Sequence, residues 1–265
     1  MKQKNIGFVS LLLVFLSFFS CASVSLTQNL ENLDRESIEK FLKTAKVVSV
    51  LKERGRRTES WEVELDDGKI QGRGFFKLVN RDRPNPSGGD SYKYVLASYE
   101  LDKMLDLNLV PPTVERKIER RKGSLMLFLE PPVISEEDRM QKNIVPPDLV
   151  SFNKTMADLV IFEHLLFFPS LCSQRDLGNI LIQTEKNWKV WMIDLSEAFA
   201  PATRLITGCE ITDCSDNLFH KMENLSKDGI RARLGSYLND EEIATLLVRK
   251  DLIIKKVKEL RAKKD

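Results

Sequence analysis

Histidine is nearly absent from this 265-residue chain. There are two, His164 and His220, and neither has a Cys or His neighbour at zinc-binding spacing, so no zinc site is expected. His164 lies in an apolar helical run and reads as a core or boundary residue. An excess of one charge is also missing. The 41 basic residues stand against 39 acidic ones, for a net charge of +2. That balance provides neither the basic field of a nucleic-acid binder nor an acidic counterpart, and no nucleic-acid partner is expected. The Lys-rich end around Lys255, Lys256 and Lys258 reads as the solvated face of a last helix. No internal repeat is visible. The one long hydrophobic run, Ile6 to Phe19, has about 14 residues and is short for a membrane span.

That run is flanked as a signal peptide is, over residues 1–21. Lys2 and Lys4 form a charged start, and Ser20-Cys21-Ala22-Ser23 places small residues behind the apolar stretch. Phe18-Phe19-Ser20-Cys21 resembles a bacterial lipoprotein box, with Phe18 where Leu is usual. Cys21 is then a lipidation site and the mature N-terminus, and the expected location is the bacterial envelope, as a membrane-anchored lipoprotein. Ordinary secretion and an uncleaved anchor are the alternatives. Of the other cysteines, Cys209 and Cys214 are close enough in sequence to close a small disulfide loop in an oxidising compartment, or both are free thiols.

What is present is a chain with 42% hydrophobic and 30% charged residues, enough for one globular unit with a sizeable core. Residues 22–36 read as a linker. Ser37 to Thr44 has helical spacing with Ser37 as cap. Strands are expected at Val47–Leu51, Trp61–Leu65 and Gly74–Val79, with Asp66-Asp67-Gly68 as a hairpin turn. Asn80 to Asp90 reads as a loop and Ser91 to Leu107 as a helix. Val110–Glu115 and Leu125–Glu130 follow as strands, turning near Lys122-Gly123. Pro131-Pro132 opens a polar connection over residues 131–148. Beyond it come a helix over Leu149–Phe168 that stops at Pro169, and a hairpin over Ile180–Asp194. Residues 195–215 are irregular, and helices are expected near Leu218–Met222, Lys227–Leu234 and Asp240–Lys263. The expectation is an α+β, two-lobed, kinase-like fold: a β-rich N-lobe over residues 37–130, a hinge over 131–148 and an α-helical C-lobe over 149–265.

Several segments resemble the bacterial phosphoinositide 3-/4-kinase-like, HipA-related kinases. They are Phe75-Phe76-Lys77, Tyr94 to Asp102, Leu109 to Val114, Gly123-Ser124-Leu125, Arg175 to Leu181 with Met192-Ile193-Asp194, and Leu234 to Leu238 with Arg249-Lys250-Asp251. The resemblance covers roughly residues 45–260. It implies that ATP and Mg²⁺ are the cofactors. Lys77 would reach the phosphates and Glu100 would pair with Lys77. Asn179 and Asp194 would ligate the metal through oxygen, and Glu130 would mark the hinge behind which Leu127 to Leu129 back the adenine. The basic loop around Gly55 would lie over the phosphates or is a surface turn.

The chain departs from the family where the catalytic loop usually carries Asp-Arg-x-x-x-Asn. Here it reads Gln174-Arg175-Asp176-Leu177-Gly178-Asn179. Gln174 cannot take a proton, and Asp176 substitutes only if the loop is extended, which puts both side chains on one side. Two functions are therefore expected. One is a phosphotransferase acting on a protein, lipid or small-molecule hydroxyl. The other is an envelope-anchored pseudokinase-type binding module or scaffold.

Overall fold

The computed structural model describes Leu30 and residues 33–54, 59–81, 89–174 and 176–263. Cys21 with the leader, the loop at Gly55 and Arg175 lie outside the described residues. The first helix, α1 (Arg35–Thr44), starts earlier than its apolar spacing suggests. Its cap is Asp34 rather than Ser37: the Asp34 carboxylate accepts the Ser37 N–H at 2.8 Å. A carboxylate at a helix start gains both that bond and the favourable end of the helix dipole.

Five antiparallel strands follow in the order β1-β2-β3-β7-β6. They are β1 (Lys46–Arg54), β2 (Glu59–Asp66), β3 (Gln71–Lys77), β6 (Thr113–Ile118) and β7 (Arg121–Leu127). Trp61, Val63 and Leu65 point into the core while Glu62 and Glu64 point out, so the alternation along β2 settles which face of the sheet meets α1. The β2–β3 turn falls at Asp66-Asp67-Gly68 as expected, with Gly68 at φ 86° and the Asp67 carboxylate accepting the Lys69 and Ile70 N–H groups. The β6–β7 turn is at Glu119-Arg120, not at Lys122-Gly123. Gly123 belongs to the strand because any Cβ there would run into the Lys77 carbonyl and the Phe76 ring.

Between β3 and β6 lie the short pair β4 (Asn80–Arg81) and β5 (Asp90–Ser91), then α2 (Tyr92–Leu105), capped by Ser91. The described residues form two apolar cores. One joins α1 to the sheet through Phe41, Leu42, Trp61, Phe76 and Leu125. The other gathers α2 through Tyr99, Leu101 and Leu105 with the helices that follow. So α2, although surrounded in sequence by strands of the sheet, is buried mainly against the helical half.

The polar connection after Pro131-Pro132 contains β8 (Ile134–Ser135) and α3 (Glu136–Gln141). β8 pairs with β9 (Ile180–Gln183), which pairs with β10 (Lys189–Met192), so the hairpin gains a third strand. The remaining helices are α4 (Leu149–Leu166), α5 (Asp216–Glu223), α6 (Lys227–Leu234) and α7 (Asp240–Arg261). α7 opens with a full capping box between Asn239 and Glu242. No helix among the described residues is long and apolar enough to cross a membrane.

Candidate functional site

The site begins with two strand ends. Lys77 is the last residue of β3, where Gly123 lets β7 approach closely enough to pair Ser124 with Lys77. Asn179 stands just before β9 and Asp194 just after β10. The hairpin ladder runs one pair beyond the strands, with Ile193 N–H donating to the Asn179 carbonyl at 2.9 Å. This closes the mouth of the hairpin and sets Asn179 and Asp194 side by side. Asp194 is in the left-handed region (φ 59°) and leads into a 3-10 turn over Leu195–Glu197. The hairpin is tied to the connection between α2 and β6 by the Met192 N–H, which donates to the Leu109 carbonyl at 2.7 Å.

Between the lobes lies a cavity of about 560 Å³. Its polar end is formed by Lys77, Asn179 and Asp194 with Ser60 and Ser124, and its apolar walls by Phe75, Val95, Met126, Leu127, Phe128, Leu129, Leu181 and Ile193. The Lys77 ammonium forms an ion pair with Asp194 Oδ1. Lys77 is buried, while the Asp194 side chain keeps about half its exposure (52%), so that carboxylate can also meet a cation from the cavity. A carboxylate and an amide oxygen are hard donors of the kind Mg²⁺ selects, and the residues present fit that ion. Three expected site residues, Lys77, Asn179 and Asp194, are thus brought together.

The others are not. Glu100 does not pair with Lys77; it binds Arg233 on α6 at 2.8 Å and Lys103 at 3.0 Å. Val95 is the α2 residue that faces the cavity, and Glu100 lies about 140° further round the helix. The expected pair fails on helix phase. Glu130 keeps its place at the hinge, and Leu127 to Leu129 line the cavity, but its carboxylate is engaged elsewhere. It takes Arg73 in a two-pronged ion pair while Arg73 also binds Glu62 at 2.6 Å and covers the Phe128 ring at 3.9 Å. The carboxylates hold the Arg73 guanidinium's pKa further above its usual range. Glu130 fastens the hinge to the sheet and leaves ligand contact to its neighbours.

Gln174 and Asp176 are exposed and outside the cavity lining. Gln174 has φ 52° and Asp176 φ −125°, ψ 36°, so the loop is coiled there. The alternation that would put Asp176 in place of Gln174 does not operate. Asp194 is the one acid in the cavity lining among the described residues.

Two features beneath this loop were missed. Glu163, buried in the last turn of α4, accepts the N–H groups of Ser170, Leu171 and Cys172 at 2.9, 2.5 and 3.1 Å. Burial drives its carboxyl up to about 7, against the lowering effect of those three bonds. The signal was available, since an acid in the apolar run Leu159 to Leu166 needs a buried partner. The second feature is a disulfide between Cys172 and Cys209, Cα atoms 5.0 Å apart. It replaces the expected Cys209–Cys214 loop. Cys214 is a free, buried thiol at the start of α5, with its pKa pushed up to about 12 by burial. Sequence proximity lost to direction, because the Cys214 side chain joins the helical core. His164 is the core residue expected: it is buried, and its Nδ1 accepts the Ile206 N–H at 3.1 Å.

No protein-family model matches the sequence, and no curated protein matches it significantly. Solved structures do match. A structure of hydra Fam20 with sugar superposes with a TM-score of 0.63 at 14% identity, over 86% of this chain and 89% of that one. The Helicobacter pylori proinflammatory kinase CtkA superposes with a TM-score of 0.50 at 7% identity, over 83% of this chain and 95% of that one. At such identities the likeness shows the fold: α+β and kinase-like.

Proposed function

We propose that the cleft binds a magnesium nucleotide, ATP first, and that the chain is a kinase-like-fold phosphotransferase related to the phosphoinositide 3-/4-kinase-like, HipA-type group. The observation that carries this reading is the meeting of Lys77, Asn179 and Asp194 at one end of an apolar slot. Met126, Leu127, Phe128 and Leu129 suit a flat base, and Lys77 supplies a cation for phosphate oxygens. Asn179 and Asp194 would hold Mg²⁺, whose chemistry when bound is to neutralise charge on the phosphates. Asp194 would then be shared between the metal and Lys77, and the Lys77 ammonium would be able to turn to phosphate oxygens. The acceptor is a hydroxyl on a protein, lipid or small molecule. A sugar hydroxyl belongs among those tested, since the hydra Fam20 structure contains sugar.

With Gln174 in the usual position of the base, transfer is expected to be slower by roughly 10²–10⁴-fold. A second reading is favoured by the absence of any acid but Asp194 from the described cavity lining. In it the chain is a pseudokinase-type binding module, exported and held in a bacterial envelope through Cys21, where a regular ATP supply is not expected.

Thermal unfolding of the full-length chain tests the first reading. Mg-ATP at about ten times its Kd is expected to raise the midpoint by roughly 3 °C, and Asp194→Asn to remove the magnesium-dependent part of the shift. No shift at millimolar Mg-ATP sinks the nucleotide reading. If binding is seen, Gln174→Asp is expected to raise autophosphorylation. A wild-type activity abolished by Asp176→Ala would instead make Asp176 the base.

A further inference from the structure

A second cavity, of about 330 Å³, lies next to the cleft, where the start of α1 meets the β9–β10 hairpin. Its walls come from both lobes. Leu33, Arg35 and Ile38 belong to the start of α1, Leu127 and Leu129 to the hinge, and Lys189 and Trp191 to β10. Most of this surface is apolar. Leu127 and Leu129 also line the nucleotide cleft, so the two cavities share one wall.

The charges in this cavity do not cancel. Arg35 is already paired: its Nη2 donates to the buried Asp102 carboxylate at 2.8 Å and to Asn108 Oδ1 at 2.6 Å. Asp102 is paired as well, accepting the Leu109 N–H at 2.6 Å in addition. Lys189 is different. Its half-buried ammonium sits 4.7 Å from the centre of the Trp191 ring and has no carboxylate partner among the described residues. The indole does not compete for an anion in the plane of the ring, because its N–H is already donated to Gln183 Oε1 at 2.8 Å. A partly desolvated lysine without a direct ion-pair partner is unfavourable unless something supplies one. Burial accordingly draws the amine down to about 8, with Asp102 opposing the shift.

We propose that this cavity is a binding site for a small apolar carboxylate, whose anionic end pairs with Lys189 and whose body packs between Ile38, Leu129 and Trp191. The Arg35–Asp102 pair is neutral as a unit, and the other charged side chains of the lining, Lys186 and Lys189, are both cationic, so an anion complements the cavity. A neutral ligand of the same shape leaves the Lys189 ammonium unpaired. The site takes its ligand from a different chemical class than the cleft does, and its existence does not depend on nucleotide binding.

The experiment uses 2-naphthoate as the probe, with 2-naphthamide as its uncharged counterpart. Thermal midpoints of the full-length chain are followed up to about 10 mM of each. A saturable rise of about 3 °C is expected with 2-naphthoate, none with the amide, and none with either in Lys189→Met. Lys77→Met is expected to keep the wild-type response, which distinguishes this cavity from the nucleotide cleft. An equal response to the amide, a shift retained in Lys189→Met, a shift lost in Lys77→Met, or no saturable shift overturns the proposal. Should Lys189→Met fail to fold, acetylation of the wild-type chain near pH 8 with mass spectrometry decides. Slower acetylation of Lys189 in the presence of 2-naphthoate upholds the site, and an unchanged rate refutes it.

Discussion

Asp194 and Lys77 compress the problem of this protein into one ion pair. Both were named in the sequence through the resemblance to kinases, and in the structure one ends β3 and the other follows β10. The pairing itself was not legible, since it depends on how two distant segments are brought to one cavity. Glu100 shows the same limit from the other side. Its residue type suited the role, but its phase on α2 delivered it to Arg233. Lys77→Met is expected to weaken Mg-ATP binding about 10–100-fold while moving the ligand-free midpoint by less than about 2 °C. The small stability effect follows from Asp194 keeping about half its exposure, so water solvates it once Lys77 is gone. Titration calorimetry beside thermal unfolding checks both halves, and a large midpoint loss with unchanged affinity would make Lys77 a structural residue.

The element that decides the site is the segment from the end of α4 to β9. Its entry is held by Glu163 and by the Cys172–Cys209 bridge, one electrostatic restraint and one covalent. The Glu163 carboxyl is raised from an ordinary 4.5 to about 7 in the fold. Between those values the native state binds more protons than the unfolded chain. The contribution of this group to stability is therefore full below about 4.5 and is lost as pH rises through 7, by roughly 3 kcal/mol in all. Glu163→Gln removes the titrating proton, but its amide nitrogen cannot accept the N–H that one carboxyl oxygen accepts. Its midpoint is expected to lie below wild type at pH 5 and to gain several degrees relative to it by pH 8; a constant difference would show that Glu163 does not titrate in this window. The bridge closes a loop across a sequence separation of 37, so removing it through Cys172→Ser with Cys209→Ser is expected to cost about 3–4 kcal/mol by urea unfolding. Alkylation of the native protein should leave Cys214 unmodified, and labelling of Cys209 in its place would contradict the pairing. Neither restraint follows from spacing: Cys209 lies nearer to Cys214 in sequence and nearer to Cys172 in space.

For the whole molecule, the helical half is locked by Arg249. This fully buried side chain on α7 donates to the carbonyls of Leu165, Ala200 and Ala202, and burial pulls its guanidinium down to about 10. It has no carboxylate partner among the described residues and relies on carbonyl dipoles where α4 ends, the negative end of that helix. Arg249→Ala should cost about 3 kcal/mol or more, since it leaves buried carbonyls unpaired and a void between α7 and α4. Chemical unfolding measures it, and a loss under about 1 kcal/mol would mean that water replaces the guanidinium. Because α2 is built into the same core, that loss is expected to reach the cavity between the lobes through Val95 as well.

The division between sequence and tertiary structure follows from the range of the forces involved. Alternation in β2, helical spacing in α4 and α7, the Asp66-Asp67-Gly68 turn and the two ends of the β9–β10 hairpin rest on neighbours within a few residues. The sequence by itself therefore determined the order of elements, the kinase-like layout and three of the residues at the polar end of the cleft. Partner choice rests on the packing of elements far apart in the chain. Only the tertiary structure decided that Glu100 turns to Arg233, that Glu130 fastens the hinge to Arg73, that Cys209 bonds Cys172, and that Lys189 stands over Trp191 with no carboxylate in direct contact among the described residues.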